Sequence, residues 1–168
     1  MTGHDANVGD QVGERDTVVG VISDTHGLIR PQAIAALVGA DLIIHAGDVG
    51  TPEVIDRLGG LAPVFAVRGN VDTADWAARL PLTRVVEAGA LRVFVLHEVS
   101  QLALDVAAAG LAAVVFGHSH RPSIETRGGV LFLNPGSAGP RRFKLPVTVA
   151  RIRVSGRRMR PEIVELQV

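Results

Sequence analysis

Asp24 and His26 stand one residue apart in a turn closed by Gly27. There a hard carboxylate oxygen and an imidazole nitrogen can converge on one point, and that donor pair suits a divalent cation. Taken alone it reads equally well as a solvated turn, because Asp and His are common in turns. The chain repeats the pattern four more times: Asp48 after Gly47; Asn70 after Gly69, with Asp72 two residues on; His97; and His118 and His120 around Ser119. Each cluster follows an aliphatic run. Four of the six histidines lie in these turns, while His45 stands three residues before Asp48 and His4 lies near the N-terminus. Any one of them could be an ordinary turn histidine, but the set, always at the carboxyl end of an apolar run, points to one polar site.

The elements that must position these groups are legible as alternating strands and helices. Val18–Ile22, Leu42–Ile44 and Val64–Val67 are short β-branched runs of the kind buried on both faces of a sheet. Between the first two, Pro31 opens a helix with Ile34, Leu37 and Val38 on one face and Gly39 at its end. A second helix has Thr51 as cap, Pro52 first, Val54, Ile55 and Leu58 as its buried stripe, and Gly59-Gly60 as its stop. A short helix around Trp76 is cut by Pro81. Strand, crossover helix, strand is the grammar of a layered α/β fold.

From Thr83 the pattern turns to hairpins. Val85-Val86 and Val93–Leu96 are joined across Ala88-Gly89-Ala90, which predicts a hairpin with a glycine bulge. Ser100 is expected to cap a helix reaching Ala109, followed by a strand over Ala113–Phe116. Ile124–Thr126 pairs with Val130–Leu133 across Gly128-Gly129, and Val147–Val154 and Ile163–Leu166 complete a strand-rich end. Residues 1–16 read as a loose polar tail and 17–168 as a single domain.

Composition narrows the chemistry. There is no cysteine, hence no disulfide and no thiolate zinc site. A metal would be held by His, Asp, Glu or Asn, which favours manganese, iron, zinc or magnesium. The 47 % apolar content and mean hydropathy of +0.29 support a real core. No apolar run approaches the roughly 18 residues needed to span a bilayer. Asp5, Asp10, Glu14 and Asp16 argue against a signal or transit peptide, so a cytoplasmic protein is expected. Zero net charge gives no support for nucleic acid or anionic lipid as a general partner. Yet eight of the 17 basic groups fall in residues 141–168, against two of the 17 acidic ones. That run is either a solvated edge strand or a phosphate-binding patch.

In order along the chain, Asp24-Thr25-His26, Gly47-Asp48, Gly69-Asn70, His97 and Gly117-His118-Ser119-His120 resemble the motifs of the calcineurin-like metallophosphoesterase family. The size and the Asn134-Pro135-Gly136-Ser137 turn resemble its small bacterial and archaeal phosphodiesterase branch, similar in fold to the eukaryotic retromer scaffold subunit. The resemblance implies a four-layer αββα sandwich of two mixed sheets with the site at their carboxyl edges. It implies two divalent ions, manganese above all with iron, zinc, nickel or magnesium as alternatives. One would lie on Asp24, His26, Asp48 and His120, the other on Asp48, Asn70, His97 and His118, with Asp48 bridging. Asn70, Asp72 and His118 would also serve the chemistry, and a small phosphate ester would be hydrolysed by a metal-bound hydroxide. His45 would then be a supporting residue. A homo-oligomer is left open.

Two positions depart from the family pattern. Val71 stands where a leaving-group-protonating His is usual, ahead of Asp72, and Glu98 follows His97 where a small Gly is usual. Glu98 could orient a ligand, add one, crowd the pocket or simply face solvent. A non-catalytic interaction scaffold on the same fold is the second reading, and a metal site serving stability the third.

Overall fold

The computed structural model describes residues 15–168, so nearly all of the expected 1–16 tail lies outside the described residues. Two five-stranded sheets face one another. The first runs in the order β10-β9-β1-β2-β3, with β1 (Thr17–Ile22), β2 (Leu42–His45), β3 (Val64–Ala66), β9 (Thr148–Ser155) and β10 (Arg158–Glu165). The second runs β4-β5-β6-β8-β7, with β4 (Thr83–Ala88), β5 (Leu91–Leu96), β6 (Ala113–Val115), β7 (Ser123–Arg127) and β8 (Val130–Asn134). Both are mixed: β1, β2 and β3 are parallel, with antiparallel β9 beside β1 and β3 at the edge, and β5, β6 and β8 are parallel, with antiparallel β4 and β7 on either side.

Period-two alternation explains how the sheets pack. Val19 and Val21 of β1, Ile44 of β2, and Ile152 and Val154 of β9 meet Val86, Val93, Val95, Val115 and Leu133 of the second sheet in one buried core. Ile22 and Ile43 point the other way, onto α1 (Pro31–Leu37) and α2 (Pro52–Gly59) through Leu37, Val54 and Leu58. Each such fully buried aliphatic side chain contributes about 1.5–3 kcal/mol. Over the outer face of the second sheet, Leu96, Val114, Phe116 and Phe132 are covered by Val106 and Leu111.

That outer cover differs from expectation. The helix expected from Ser100 to Ala109 is a 3-10 turn over Val99–Gln101 followed by further turns. Asp105 diverts the backbone, its carboxylate accepting the Ala108 N–H at 3.1 Å, a local bond that competes with helix. The segment around Trp76 is likewise 3-10, Asp75–Arg79. In α1, Val38 is the C-cap and is exposed rather than on the buried face, and Thr51 sits at the N-cap of α2 without a side-chain capping bond. The β4–β5 hairpin has no bulge, since Ala88 pairs directly with Leu91 across Gly89-Ala90. β10 begins five residues earlier than expected and carries Pro161, which an edge strand tolerates. Among the described residues, no helix is long and apolar enough to cross a membrane.

The topology has one functional consequence. All six strands of the two parallel trios end at the same edge of the sandwich, and the residues that follow them make the site.

Candidate metal centre

β1 and β2 continue to pair beyond their ends: Asp24 N–H donates to the Gly47 carbonyl at 3.0 Å, His26 N–H to Asp48 at 3.0 Å and Gly27 N–H to Val49 at 2.8 Å. This ladder places Asp24, His26 and Asp48 side by side. From the second sheet, Gly117 N–H donates to the His97 carbonyl at 2.9 Å and sets His118 and His120 against His97. The two loop sets meet between the sheets, and all seven residues expected at the site come together there.

Both carboxylates use one oxygen for anchorage and direct the other inward. Asp24 Oδ2 accepts the Ser23 hydroxyl at 2.7 Å and the His118 N–H at 3.1 Å. Its Oδ1 is buried without a hydrogen bond, 3.2 Å from His120 Nε2 and 3.9 Å from His97 Nε2. Asp48 Oδ1 accepts the Val71 N–H at 3.0 Å, leaving Oδ2 3.2 Å from His97 Nε2 and 3.8 Å from His26 Nε2. Asn70 Oδ1 lies 3.0 Å from His97 Nε2 and 3.2 Å from His118 Nδ1. His26 and His120 approach through their Nε2 atoms at 3.4 Å.

Ring tautomers follow from the fixed partners. His97 Nδ1 lies 2.7 Å from the Ala46 carbonyl and must donate to it, which leaves Nε2 facing three oxygens. Burial works to lower its pKa, but the bonds to Asp48 and Ala46 and the charges of Asp24 and Asp48 outweigh it and raise it. Burial would raise Asp24 and Asp48, yet the surrounding histidines, with Ser23 beside Asp24 and the Val71 N–H on Asp48, hold both below the ordinary carboxylate value. His26 is lowered, chiefly by burial, with the charges of His120 and Arg142 adding to it against those of Asp48 and Asp24. Oxygens without enough protons to share, converging on imidazole nitrogens, call for a cation.

Two groups therefore could each hold a metal ion: Asp24, His26 and His120, and Asp24, Asp48 and His97, with the donor atoms in each within 4.8 Å of one another. Hard oxygens and imidazoles fit divalent manganese, iron, zinc or magnesium, and the buried, unpaired Asp24 Oδ1 is the atom such an ion would satisfy. Asn70 and His118 lie at the more exposed side of the second group.

The surrounding scaffold is built for this. Among the described residues, six that are not glycine have positive φ, and five of them are Asp24, His26, Asp48, His118 and His120. Strain of this sort collects at functional sites when the surroundings enforce it. Gly69 and Gly117 are the enforcing contacts, because a Cβ on Gly69 would overlap Asp48 and one on Gly117 would overlap the Ser23 hydroxyl.

Several supporting residues went unrecognised in the sequence. Asn134 ends β8 and donates to the Gly117 carbonyl at 3.0 Å and to Ser119 Oγ at 3.1 Å, fixing the His118–His120 turn. The Ser137 hydroxyl donates to the Asp24 carbonyl at 3.0 Å. For Asn134 the available signal was its place at the end of the sixth parallel strand. Asp72, expected among the chemical groups, has its carboxylate on the N–H groups of Val49, Gly50 and Gly69 at 3.1, 2.9 and 2.9 Å, tying the Asp48 loop to the Asn70 loop. Glu98 accepts from Ser100 Oγ at 2.8 Å and Gln101 Nε2 at 3.3 Å, and its Oε1 lies 3.9 Å from His118 Nε2.

The calcineurin-like phosphoesterase superfamily domain matches residues 18–157. The chain belongs to that superfamily. Within it, the chain falls in the branch of small archaeal and bacterial phosphoesterases. It is 33 % identical over 159 residues to a probable metallophosphoesterase of Methanothermobacter thermautotrophicus, covering 88 % of this chain and 91 % of the relative. A solved archaeal phosphodiesterase superposes with a TM-score of 0.74 at 23 % identity, covering 88 % of this chain and all of that one. Vacuolar protein sorting 29 of Cryptosporidium parvum superposes with a TM-score of 0.73 at 18 % identity, covering 92 % of this chain and all of that one. The expected fold, two mixed sheets with the site at their carboxyl edges, is the metallophosphoesterase fold. Its αββα layering is thinned on the second sheet, where 3-10 and turn structure stand for helix.

His45 lies beneath this phosphoesterase site, fully buried. Gly47 N–H donates to its Nδ1 at 3.2 Å, so Nε2 carries the proton and donates to Thr25 Oγ1 at 3.0 Å, and Thr25 in turn donates to the Val49 carbonyl at 2.8 Å. Burial holds its pKa down to about 4 against an ordinary 6.5. Between those values the unfolded chain binds a proton that the folded chain refuses. Stability should therefore be intact above about pH 6.5 and fall as pH drops toward 4, by up to about 1.4 kcal/mol per pH unit from this residue. Urea unfolding of chelator-treated protein at several pH values should give a shallower acid slope for His45→Gln than for the parent. An unchanged slope would remove His45 from the account.

Proposed function

We propose that this phosphoesterase is a dinuclear, metal-dependent phosphodiesterase acting on a small phosphate ester, with Asp48 shared between the two ions. The observation that carries this reading is Asp48 Oδ2, 3.2 Å from His97 Nε2 and 3.8 Å from His26 Nε2 and so within reach of both ions; Asp24, the carboxylate common to the two three-residue groups, lies nearer the first, its Oδ1 3.2 Å from His120 Nε2 against 3.9 Å from His97 Nε2. One ion would rest on Asp24, His26, Asp48 and His120 and the other on Asp48, Asn70, His97 and His118, with manganese the first candidate. When bound, the ions would activate a water for in-line attack and neutralise the phosphoryl oxygens.

The protein's own residues do the rest. Asp24 and Asp48 bring the negative charge, each held in one orientation by its anchored oxygen. Asn70 adds a neutral oxygen, which leaves room for an anionic substrate. His97 is fixed by Ala46 so that Nε2 points inward. Asp72 acts as a brace for the Asp48 and Asn70 loops rather than as a proton donor, and Glu98 backs His118 from the side away from Asn70. Val71 is exposed at the rim beside Asn70 and can give no proton to a leaving group. Esters with good leaving groups, and diesters above monoesters, are the substrates such a site would turn over.

The scaffold reading draws on the likeness to vacuolar protein sorting 29, but that likeness is one of fold. The full set of seven donors favours the enzyme.

The deciding experiment compares bis(p-nitrophenyl) phosphate with p-nitrophenyl phosphate under saturating manganese. Both esters release p-nitrophenolate and differ in the monoester's extra negative charge, which a site already lined by Asp24, Asp48 and Glu98 admits less readily, so diester turnover should exceed monoester turnover by about tenfold or more. Equal rates, or none on either ester, would refute the reading. Val71→His should raise monoester turnover by no more than about threefold, because Asp72 is bound to backbone and cannot orient the new ring, well short of the 10²–10⁴ that a positioned acid delivers. A larger gain would restore Asp72 to a proton-transfer role.

Asp48→Asn replaces the shared carboxylate with a group of similar shape and no charge. Activity should fall by about 100-fold or more and metal content per chain should drop below the parent's. Two retained ions with full turnover would contradict the bridging assignment.

A further inference from the structure

We infer, building on the phosphodiesterase reading, that the loop over residues 139–145 is a substrate-binding arm whose Phe143 stacks on the base of a nucleotide while its basic side chains take the phosphate charge. Five of the six non-glycine residues with positive φ among the described residues are candidate metal ligands; the sixth is Phe143, at +52°. An aromatic residue in the left-handed region is uncommon and disfavoured, and here that conformation accompanies a ring that is 94 % exposed. Nothing in the protein's own core accounts for it.

The arm is rooted in the metal centre. At its base, Gly139 packs against the backbone oxygens of Asp24 and Thr25 so closely that a Cβ would overlap them. Arg30 clamps the same residue, donating to the Gly139 carbonyl at 3.2 Å. Ser137, two residues earlier, holds the Asp24 carbonyl, and a turn closes the arm where Leu145 N–H donates to the Arg142 carbonyl at 3.1 Å. Beyond that turn the chain enters β9. Both ends are thus fixed while Arg141, Arg142, Phe143 and Lys144 are exposed.

One concavity reaches the rim of the centre and another lies on the arm itself. On the Asn70 side, one of about 410 Å³ is lined by Arg68, Asp72 and Asp75 among others, a mixed set with no aromatic. On the arm, one of about 600 Å³ is lined by Arg121, Phe143, Lys144 and Leu145, and Arg121 directly follows His120. Two cations and an aromatic face, one residue from a ligand of the first ion, match an anionic ester that carries a flat ring. An aliphatic ester would make no use of the ring, and a base stacks on an aromatic side chain whatever its sequence identity. The basic run noted in the sequence thus divides: Arg141, Arg142 and Lys144 belong to the site, while Arg151, Arg153 and Arg160 line a separate concavity against β9 and β10.

The test is equilibrium binding by isothermal titration to the manganese-loaded chain, with adenosine 5′-monophosphate and ribose 5-phosphate as probes that differ only in the base. The parent should bind adenosine 5′-monophosphate at least fivefold more tightly. Phe143→Ala should abolish that preference while leaving ribose 5-phosphate affinity within twofold, Phe143→Trp should retain it, and Arg142→Ala should weaken both probes. Equal binding of the two probes by the parent, no binding of adenosine 5′-monophosphate at millimolar concentration, or a preference that survives Phe143→Ala would overturn the assignment. So would sedimentation showing that Phe143→Ala breaks a dimer without changing the preference, which would put a second copy of the chain on the ring. Base preference without diester hydrolysis would refute the enzyme reading and keep this one.

Discussion

Too many acceptors around too few protons: this is the constraint on which the rest of the molecule depends. Asp24 Oδ1, Asp48 Oδ2 and Asn70 Oδ1 all face His97 Nε2, whose partner nitrogen is committed to Ala46. In a protein interior such an arrangement is costly unless positive charge enters it. A proton on His97 can relieve part of the cost, and divalent cations can relieve all of it while giving Asp24 Oδ1 a partner. The same unfavourable cluster that burdens the fold is thus what would make it bind metal, and the sandwich has to be strong enough to hold it together beforehand.

Rigidity at the strand ends supplies that strength. The aliphatic core between the sheets fixes six parallel strands, and their last hydrogen bonds fix the turns after them. Within those turns, one candidate ligand after another adopts a left-handed backbone that an Asp or His does not choose freely. Small neighbours and dedicated polar contacts hold them there: Gly69 under Asp48, Gly117 under Ser23, Asn134 on the histidine turn, and Asp72 joining two loops by three N–H bonds. Conformational cost is met by packing several residues away, which is why a centre of polar groups can sit in so apolar a chain.

Much of this was readable before any coordinates. Aliphatic runs of four or five residues make buried parallel strands almost without alternatives, and polar residues immediately after them can only gather at one sheet edge. The gathering of the candidate residues at one edge was legible for that reason. Local propensity failed where local bonds competed with it, as in the expected helix from Ser100, where Asp105 and Glu98 capture nearby donors and the chain turns instead. The roles of Asn134 and Ser137 depend on partners 17 and 113 residues away, which spacing cannot reveal. Asp72 was expected among the chemical groups because it adjoins Asn70; the three N–H groups that converge on its carboxylate come from two loops whose meeting spacing cannot reveal. Likewise, composition flagged a basic C-terminal run but could not divide it between the site and the distant sheet edge.

The most direct test of the central claim is the number and coupling of the ions that this cluster holds. Chelator-stripped protein titrated with manganese under equilibrium dialysis should bind two ions per chain, and electron paramagnetic resonance of the loaded protein should show the two spins magnetically coupled, as ions about 3.5–4 Å apart on a shared carboxylate require. One ion per chain, or two magnetically independent ones, would contradict it.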